Sequence, residues 1–293
     1  MKEITILSGK GGTGKTTISA ALASVAQQAI FCDNDVDASD LHLIFHPEIL
    51  EQHDFSSGWK SEIKSELCTN CGICTQNCRF DAIHYVNGVL EINPYQCEGC
   101  RLCERICPAN AITSSQGNNN YWFVSNSRFA PLVYAQMGPG EENSGKLVTL
   151  IRNKTRELAK QNQLEYIIND GPPGIGCAAI SSISGTNSVL LVIEPTKSGL
   201  HDAIRLVKLI ESFGIEKFAL INKYDINPSI TKQVEDYLHK KEIPLLAKIP
   251  FDEEIVEAMT LGKTISEYNS DSSIAAMIKD IWKTLKKQNI LAS

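Results

Sequence analysis

The chain has 293 residues, 43% of them hydrophobic and 21% charged, which is enough for one large core plus a small module. Its 34 acidic side chains outnumber 28 lysines and arginines, giving a formal net charge of −6 and an isoelectric point near 5.6, and this excludes an extended basic surface for nucleic acid. No apolar run is long enough to span a bilayer. The lack of a targeting segment, with ten cysteines, points to a reducing cytoplasm.

The apolar stretch Ile4–Leu7 reads as a strand and the alanine-rich Ile18–Gln27 as a helix. Between them lies Gly9-Lys10-Gly11-Gly12-Thr13-Gly14-Lys15-Thr16-Thr17, the strand–loop–helix setting of a phosphate-binding P-loop. Its glycines allow backbone N–H groups to turn inward around phosphate oxygens, and the helix N-terminus adds partial positive charge. Gly11 through Thr17 are the expected phosphate contacts. Lys15 neutralises the β- and γ-phosphates there, and Thr16 offers its hydroxyl to Mg²⁺. The next strand candidate, Ala29–Cys32, runs into Asp33-Asn34-Asp35-Val36-Asp37, on its own an acidic turn at a strand end.

Eight of the ten cysteines fall between positions 68 and 107, as Cys68, Cys71, Cys74, Cys78 and Cys97, Cys100, Cys103, Cys107. Both quartets have the C-x₂-C-x₂-C-x₃-C spacing of bacterial ferredoxins, and the two halves form an internal repeat. Disulfides would require an oxidising compartment, and zinc sites take two pairs of ligands rather than two identical quartets. In the ferredoxin arrangement the fourth cysteine of each run serves the other cluster. One [4Fe–4S] cluster is therefore assigned to Cys68, Cys71, Cys74 and Cys107, the other to Cys97, Cys100, Cys103 and Cys78. Pro108 follows the second quartet as the pattern expects, whereas Arg79 stands in that place after the first.

Polar stretches flank the cysteines, Glu51–Ser65 before and Ser114–Asn120 after, and read as linkers. Further strand candidates are Glu165–Asn169, Ser188–Ile193, Phe218–Asn222 and Leu245–Ile249. Helical stretches such as Leu147–Gln161, Leu200–Phe213 and Ile230–Lys240 lie between them. Their alternation predicts an α/β fold with a doubly wound, mainly parallel sheet, residues 1–60 and 116–293, interrupted by a small α+β ferredoxin-like module at 61–115. Tyr121–Val124 and Pro131–Tyr134 have strand character, and Gly138–Lys146 reads as a turn into a helix. Toward the end, Ile278, Ile281, Trp282 and Leu285 share one helical face opposite lysines. That pattern fits a helix packed on the sheet, or one lying on a membrane, and the first reading is the commoner.

Lys10 narrows the family, since an ordinary P-loop needs no lysine there. The run resembles the deviant Walker A motif, KGGxGKT, of the ATPase superfamily that includes nitrogenase iron protein, MinD and ParA. With the eight cysteines, the Glu142–Val148 stretch and Asp170–Cys177, the chain resembles the MinD-superfamily P-loop ATPases that carry an inserted ferredoxin domain. The resemblance implies that Lys10 reaches across an ATP-dependent homodimer to the partner's phosphates. It makes Asp35 the residue that orients the attacking water, with Asp33 and Asp37 in reserve, so that Lys10, Lys15 and Asp35 form the expected catalytic set. Asp170 would hold a water ligand of Mg²⁺, with Gly171 or Gly174 offering N–H groups near the γ-phosphate. Asn222 would read adenine, with Pro250 and Asp252 completing the base pocket; an asparagine at a strand end is equally a turn former. Cys177 stands seven residues after Asp170, at the offset of a cluster-ligating cysteine in nitrogenase iron protein. It reads as a small buried cysteine, a redox-active thiol or a ligand of a bridging cluster.

The cofactors so implied are ATP/ADP, Mg²⁺ and two [4Fe–4S] clusters. The implied partner is a redox or metallocluster-assembly protein, such as a dinitrogenase-cofactor-biosynthesis-like small protein; the acidic charge argues against nucleic acid, and membrane attachment is the less common reading of the last helix. Three functions remain open: an ATP-driven electron donor, an ATP-gated metallocluster carrier or scaffold, and a MinD/ParA-like positioning ATPase with redox-sensing clusters.

Overall fold

The computed structural model describes residues 1–138 and 144–291. The chain divides into two units. The first comprises Met1–Gln52, Trp122–Gln136 and Ser144–Ser293; the second is His53–Tyr121, joined by the described residues of Met137–Asn143.

The first unit is built on the parallel strands β1 (Lys2–Ser8), β2 (Ala29–Asp33), β8 (Tyr166–Pro173), β9 (Ser188–Ile193), β10 (Glu216–Asn222) and β11 (Leu245–Ile249). With β3 (Glu48–Ile63), β6 (Ile112–Asn126) and β7 (Leu132–Gln136), the sheet order is β11-β10-β9-β1-β8-β2-β7-β6-β3. β1 lies between β8 and β9, so strand order reverses beside it. In open α/β sheets such a switch point creates a crevice at the strands' carboxyl ends, and both the P-loop and the two Asp-bearing loops leave the sheet there.

These six strands, and β7, which pairs parallel with β2, match the apolar runs in the sequence, because strands covered on both faces must be apolar throughout. Ile4, Ile6 and Leu7 of β1 and Val189 through Ile193 of β9 are buried. One face of the sheet is covered by α7 (Lys197–Ser212) and α8 (Pro228–Lys240), whose Ala203, Leu206, Val207, Ile210, Val234 and Leu238 pack on Leu191, Ala219 and Ile221. Thr196 caps α7 by accepting from Gly199 N at 2.9 Å, and Asn227 caps α8, with Pro228 opening that helix. The last helix, α11 (Ser273–Leu291), buries Ile278, Ile281, Trp282 and Leu285, with Trp282 edge-on to Tyr166 at 5.0 Å. Its apolar face is thus spent on the protein's own core, and the packed-helix reading stands over the membrane one. Among the described residues no helix is long and apolar enough to cross a membrane.

A buried polar brace joins α5 (Ser144–Gln161) to β1 and to α6 (Cys177–Ile183). Glu3 accepts from Arg152 Nε at 3.0 Å, Arg156 Nε at 2.7 Å and Asn169 Nδ2 at 2.8 Å, and Arg152 also reaches the Ser181 and Ser184 carbonyls. Buried charges persist when their bonding capacity is filled in this way. The start of the turn read at Gly138–Lys146 falls partly outside the described residues, as do Glu142 and Asn143 of the Glu142–Val148 stretch; the helix begins at Ser144.

The flanks of the cysteine segment depart from expectation. Glu51–Ser65 and Ser114–Asn120 are not linkers; most of each belongs to a long strand, β3 or β6, and the chain passes between the units within those two strands. The boundaries therefore lie at 52/53 and 121/122 rather than at 60/61 and 115/116. β3 closes one edge of the sheet. With one side of its backbone open to water, an edge strand needs no continuous apolar run, so a reading by hydrophobicity passes over β3.

In the second unit, α3 (Ile73–Asn77) and α4 (Leu102–Ile106) are equivalent single turns of the repeat, and β4 (Ile83–Val86) pairs antiparallel with β5 (Val89–Ile92). Asn87 and Gly88, both at positive φ, form the turn, as the Asn-Gly hairpin signal requires. The repeat extends to the backbone: Asn70 and Gly99, Gly72 and Arg101, and Asp81 and Asn110 form equivalent pairs, all at positive φ. At Gly99 a Cβ would run into the Trp59 carbonyl, and the Arg101 guanidinium lies 4.0 Å over the Trp59 ring. The core here is thin: Cys74, Ile83, Leu90 and Ile112, with Ile63, Ile92 and further cysteines against them.

Candidate functional site

The P-loop joins β1 to α1 (Lys15–Ala23). Gly14 precedes the helix at φ 87°, and a Cβ there would collide with the Asn222 amide, so both conformation and space demand glycine. Asn222 Nδ2 donates to the Thr13 carbonyl at 2.8 Å, bracing the loop from the end of β10. A cleft of about 920 Å³ opens along Gly11–Ile18 and is bounded by Asp35, Asp37, Pro172, Cys177, Asn222, Lys223 and the Pro250–Asp252 loop. That is room for a nucleotide.

Lys15 is buried in this cleft, 3.0 Å from Asp170 Oδ1 and 3.5 Å from Asp35 Oδ2. Burial pulls its pKa down, but the charges of Asp170, Asp35 and Asp33 outweigh that and hold it above the ordinary lysine value. Asp170 also accepts from Thr16 Oγ1 at 2.8 Å and Ser19 Oγ at 2.7 Å. The P-loop lysine, the Thr16 and Ser19 hydroxyls and the Asp170 carboxylate thus meet at one place.

The two other aspartates differ. Asp33 is fully buried and accepts from Asp35 N, Ser39 Oγ and Leu41 N at 3.1, 2.9 and 3.1 Å. Burial, then the Asp170 charge, push its pKa up to about 8. Its contacts shape the loop that presents Asp35. The Asp35 carboxyl is pushed up to about 6 by burial, with Lys15 opposing and Asp170 adding.

Lys10 points elsewhere: its Nζ lies 2.7 Å from Glu194 Oε2 and donates to Thr196 Oγ1 at 3.1 Å. Lys223 Nζ lies 3.0 Å from Glu194 Oε1 and donates to the Gly12 carbonyl at 3.2 Å. Burial raises the Glu194 pKa, but the bonds from Lys10 and Lys223 outweigh it and hold the carboxyl below its usual range. Glu194, Thr196 and Ser19 were not among the expected site residues. The signal for Glu194 is its position just past the end of a buried strand, where the other site carboxylates also stand. Cys177 is exposed on the cleft wall, which removes the small-buried-cysteine reading, while Cys32 is fully buried and burial pushes its thiol up to about 12.

In the second unit the cysteines line two recesses. Cys68, Cys71, Cys74 and Cys107 share one; Cys78, Cys97, Cys100 and Cys103 share the other, which Cys74 also borders. Two N–H···S contacts repeat at matching positions, Ala82 N to Cys78 Sγ at 3.4 Å and Ala111 N to Cys107 Sγ at 3.3 Å. Among the described residues no three such side chains converge on a point that a single metal ion could occupy.

The first unit is therefore a P-loop nucleotide-binding domain, with Lys15, Thr16 and Ser19 gathered on Asp170 at the mouth of the loop. The model of the CobQ/CobB/MinD/ParA nucleotide binding domain matches residues 4–265, and the chain belongs to that family. An uncharacterised protein of Methanocaldococcus jannaschii is 33% identical over 288 residues, 97% of this chain and 96% of that one. The septum site-determining protein MinD of Thermotoga maritima is 23% identical over 98% of this chain and 89% of that protein. Among solved structures, MinD from Pyrococcus horikoshii complexed with Mg-ADP has a TM-score of 0.59 at 18% identity, covering 100% of this chain and 98% of that one. The Aquifex aeolicus MinC:MinD complex has a TM-score of 0.57 at 19% identity, covering 98% of this chain and 96% of that one. These two likenesses show the shared fold.

Proposed function

We propose that this protein is a Mg²⁺-dependent ATPase that forms an ATP-dependent homodimer and links hydrolysis to electron transfer through two [4Fe–4S] clusters, serving a redox or metallocluster-assembly partner. The observation that carries the reading is the sorting of eight cysteines of one unit into two recesses, on a chain whose other unit holds a complete P-loop site. Each recess supplies four cysteine sulfurs and an N–H aimed at one of them, the donor set that iron–sulfur clusters require. Cys68, Cys71, Cys74 and Cys107 would hold one cluster, and Cys78, Cys97, Cys100 and Cys103 the other. When bound, such a group accepts and gives up one electron at a time. The cysteine unit is read as an inserted ferredoxin-like module.

At the nucleotide, Lys15 offers its charge to the β- and γ-phosphates, and Thr16 with Asp170 is the donor set for Mg²⁺. Asp35 holds the attacking water. The oxygen of that water bonds to the γ-phosphorus as the bridging P–O bond to ADP breaks, and the water's proton leaves with the phosphate. The Asn222 amide donates within the P-loop, so its reading of adenine would use the oxygen that this bond leaves free. Lys10 acts in the dimer, on the partner's phosphates.

Anaerobic preparation followed by iron and sulfide analysis, visible absorbance and EPR tests the cluster half; about eight irons per chain are expected. ATPase turnover with the protein oxidised and then reduced tests the coupling. Absence of iron and of the visible band, with ATPase activity intact, would leave the MinD/ParA-like positioning ATPase as the reading, one the family membership also favours.

A further inference from the structure

Two lysines converge on one carboxylate at the edge of the P-loop. Glu194 follows β9 and is largely shielded, with 14% of its side chain exposed. One oxygen faces Lys10 at the start of the glycine run. The other faces Lys223, which also holds the Gly12 carbonyl in the middle of it. Lys223 borders the nucleotide cleft, whereas Lys10 is not among the described residues lining it. The lysine that distinguishes this P-loop is thus turned away from its own phosphate site and stored on its own chain.

We propose that Glu194 is a positioning residue, a latch that keeps Lys10 on its own subunit until a second nucleotide-bound copy docks and takes it. This rests on the reading of an ATP-dependent homodimer. The geometry suits reversible release. Two ammonium groups on one carboxylate repel each other, so each is held less firmly than in a lone pair. When Lys10 leaves, Lys223 still neutralises Glu194, and no buried charge is stranded. The Lys223 contact to Gly12 persists through the change, so the phosphate-binding part of the loop keeps its shape as its first residues move. Thr196 Oγ1 stays occupied as the cap of α7.

The test is sedimentation of full-length protein with Mg²⁺ and a non-hydrolysable ATP analogue, in a four-member cycle: wild type, Glu194→Gln, Lys10→Met and the double variant. Glu194→Gln should lower the dimer dissociation constant about threefold, the scale of a partly exposed ion pair. In the Lys10→Met background it should change nothing, because the latch then has nothing to hold. Lys223→Met leaves Glu194 to Lys10 alone and should weaken the dimer by a similar factor; this opposite sign carries the test if Glu194→Gln folds poorly. The latch is overturned if Glu194→Gln weakens the dimer, or shifts it equally with and without Lys10. A wild-type protein that binds the analogue but stays monomeric overturns the dimer reading, and the latch with it.

Discussion

The nucleotide unit buries Phe31, Phe45 and Phe218 among fully covered parallel strands, whereas the cysteine unit gathers little beyond Ile83, Leu90 and Ile112 around Cys74. The first can hold its shape by burying apolar surface. The second has too small a core to order about 70 residues on its own, and small domains of that kind normally depend on disulfides or metal. Its cysteines are packed into that same core, so the groups that would bind a cofactor also make up much of the interior. The contrast teaches that one chain can contain a site built on a finished scaffold and another in which site and scaffold are the same residues.

Removing iron is the strongest way to break this comparison. Chelation under reducing conditions should melt the cysteine unit, read as a loss of protection in hydrogen exchange across 53–121, while the nucleotide unit retains its protection. Protection lost equally in both units would refute the division of labour. Next, Cys74→Ser touches the one cysteine that borders both recesses, so it should cost at least half of the iron and leave nucleotide affinity unchanged. Iron analysis and analogue titration of the same sample check this.

On the nucleotide side, Asp35→Ala should slow hydrolysis about 100-fold, the lower range for a positioned acid–base group, while analogue affinity stays within about twofold. Normal turnover would reassign the water-orienting role. The smallest effect is one of pH. The Asp35 carboxyl is held at about 6 in the folded nucleotide-free protein, against an ordinary value of 3.8. The folded state therefore retains this proton as pH rises from about 4 to 6, and the wild type loses stability over that window. Asp35→Asn lacks the group, so its stability relative to wild type should increase from pH 4 to 6 and then level off. Urea titrations across that range would show it; a flat difference would mean that Asp35 ionises normally.

Much of this was legible in the sequence, for identifiable reasons. The parallel strands are continuous apolar runs, the P-loop shows in its glycine spacing, and the repeat of the cysteine quartets shows in theirs. The structure brings Lys15, Thr16, Asp35 and Asp170 together; the two aspartates were expected from the family resemblance, not from the spacing of the P-loop. Three things were not legible. β3 and the first part of β6 are polar, invisible to a hydrophobic pattern, and only the Tyr121–Val124 end of β6 showed strand character. The direction in which Lys10 points depends on Glu194, a residue 184 positions away with no motif of its own. Asn222 turned out to donate within the loop, because Gly14 leaves no Cβ to keep the amide away.

The stacking of Arg101 on Trp59 gives the protein an optical gauge. Trp59 lies within the cysteine unit and Trp282 is buried in the other. Iron–sulfur clusters absorb broadly across the near ultraviolet and visible, and Trp59 packs on Arg101 and Gly99, which border one recess, so loading that recess should quench Trp59 emission. A variant that keeps Trp59 as its one tryptophan would follow the filling of that recess in real time and without a label.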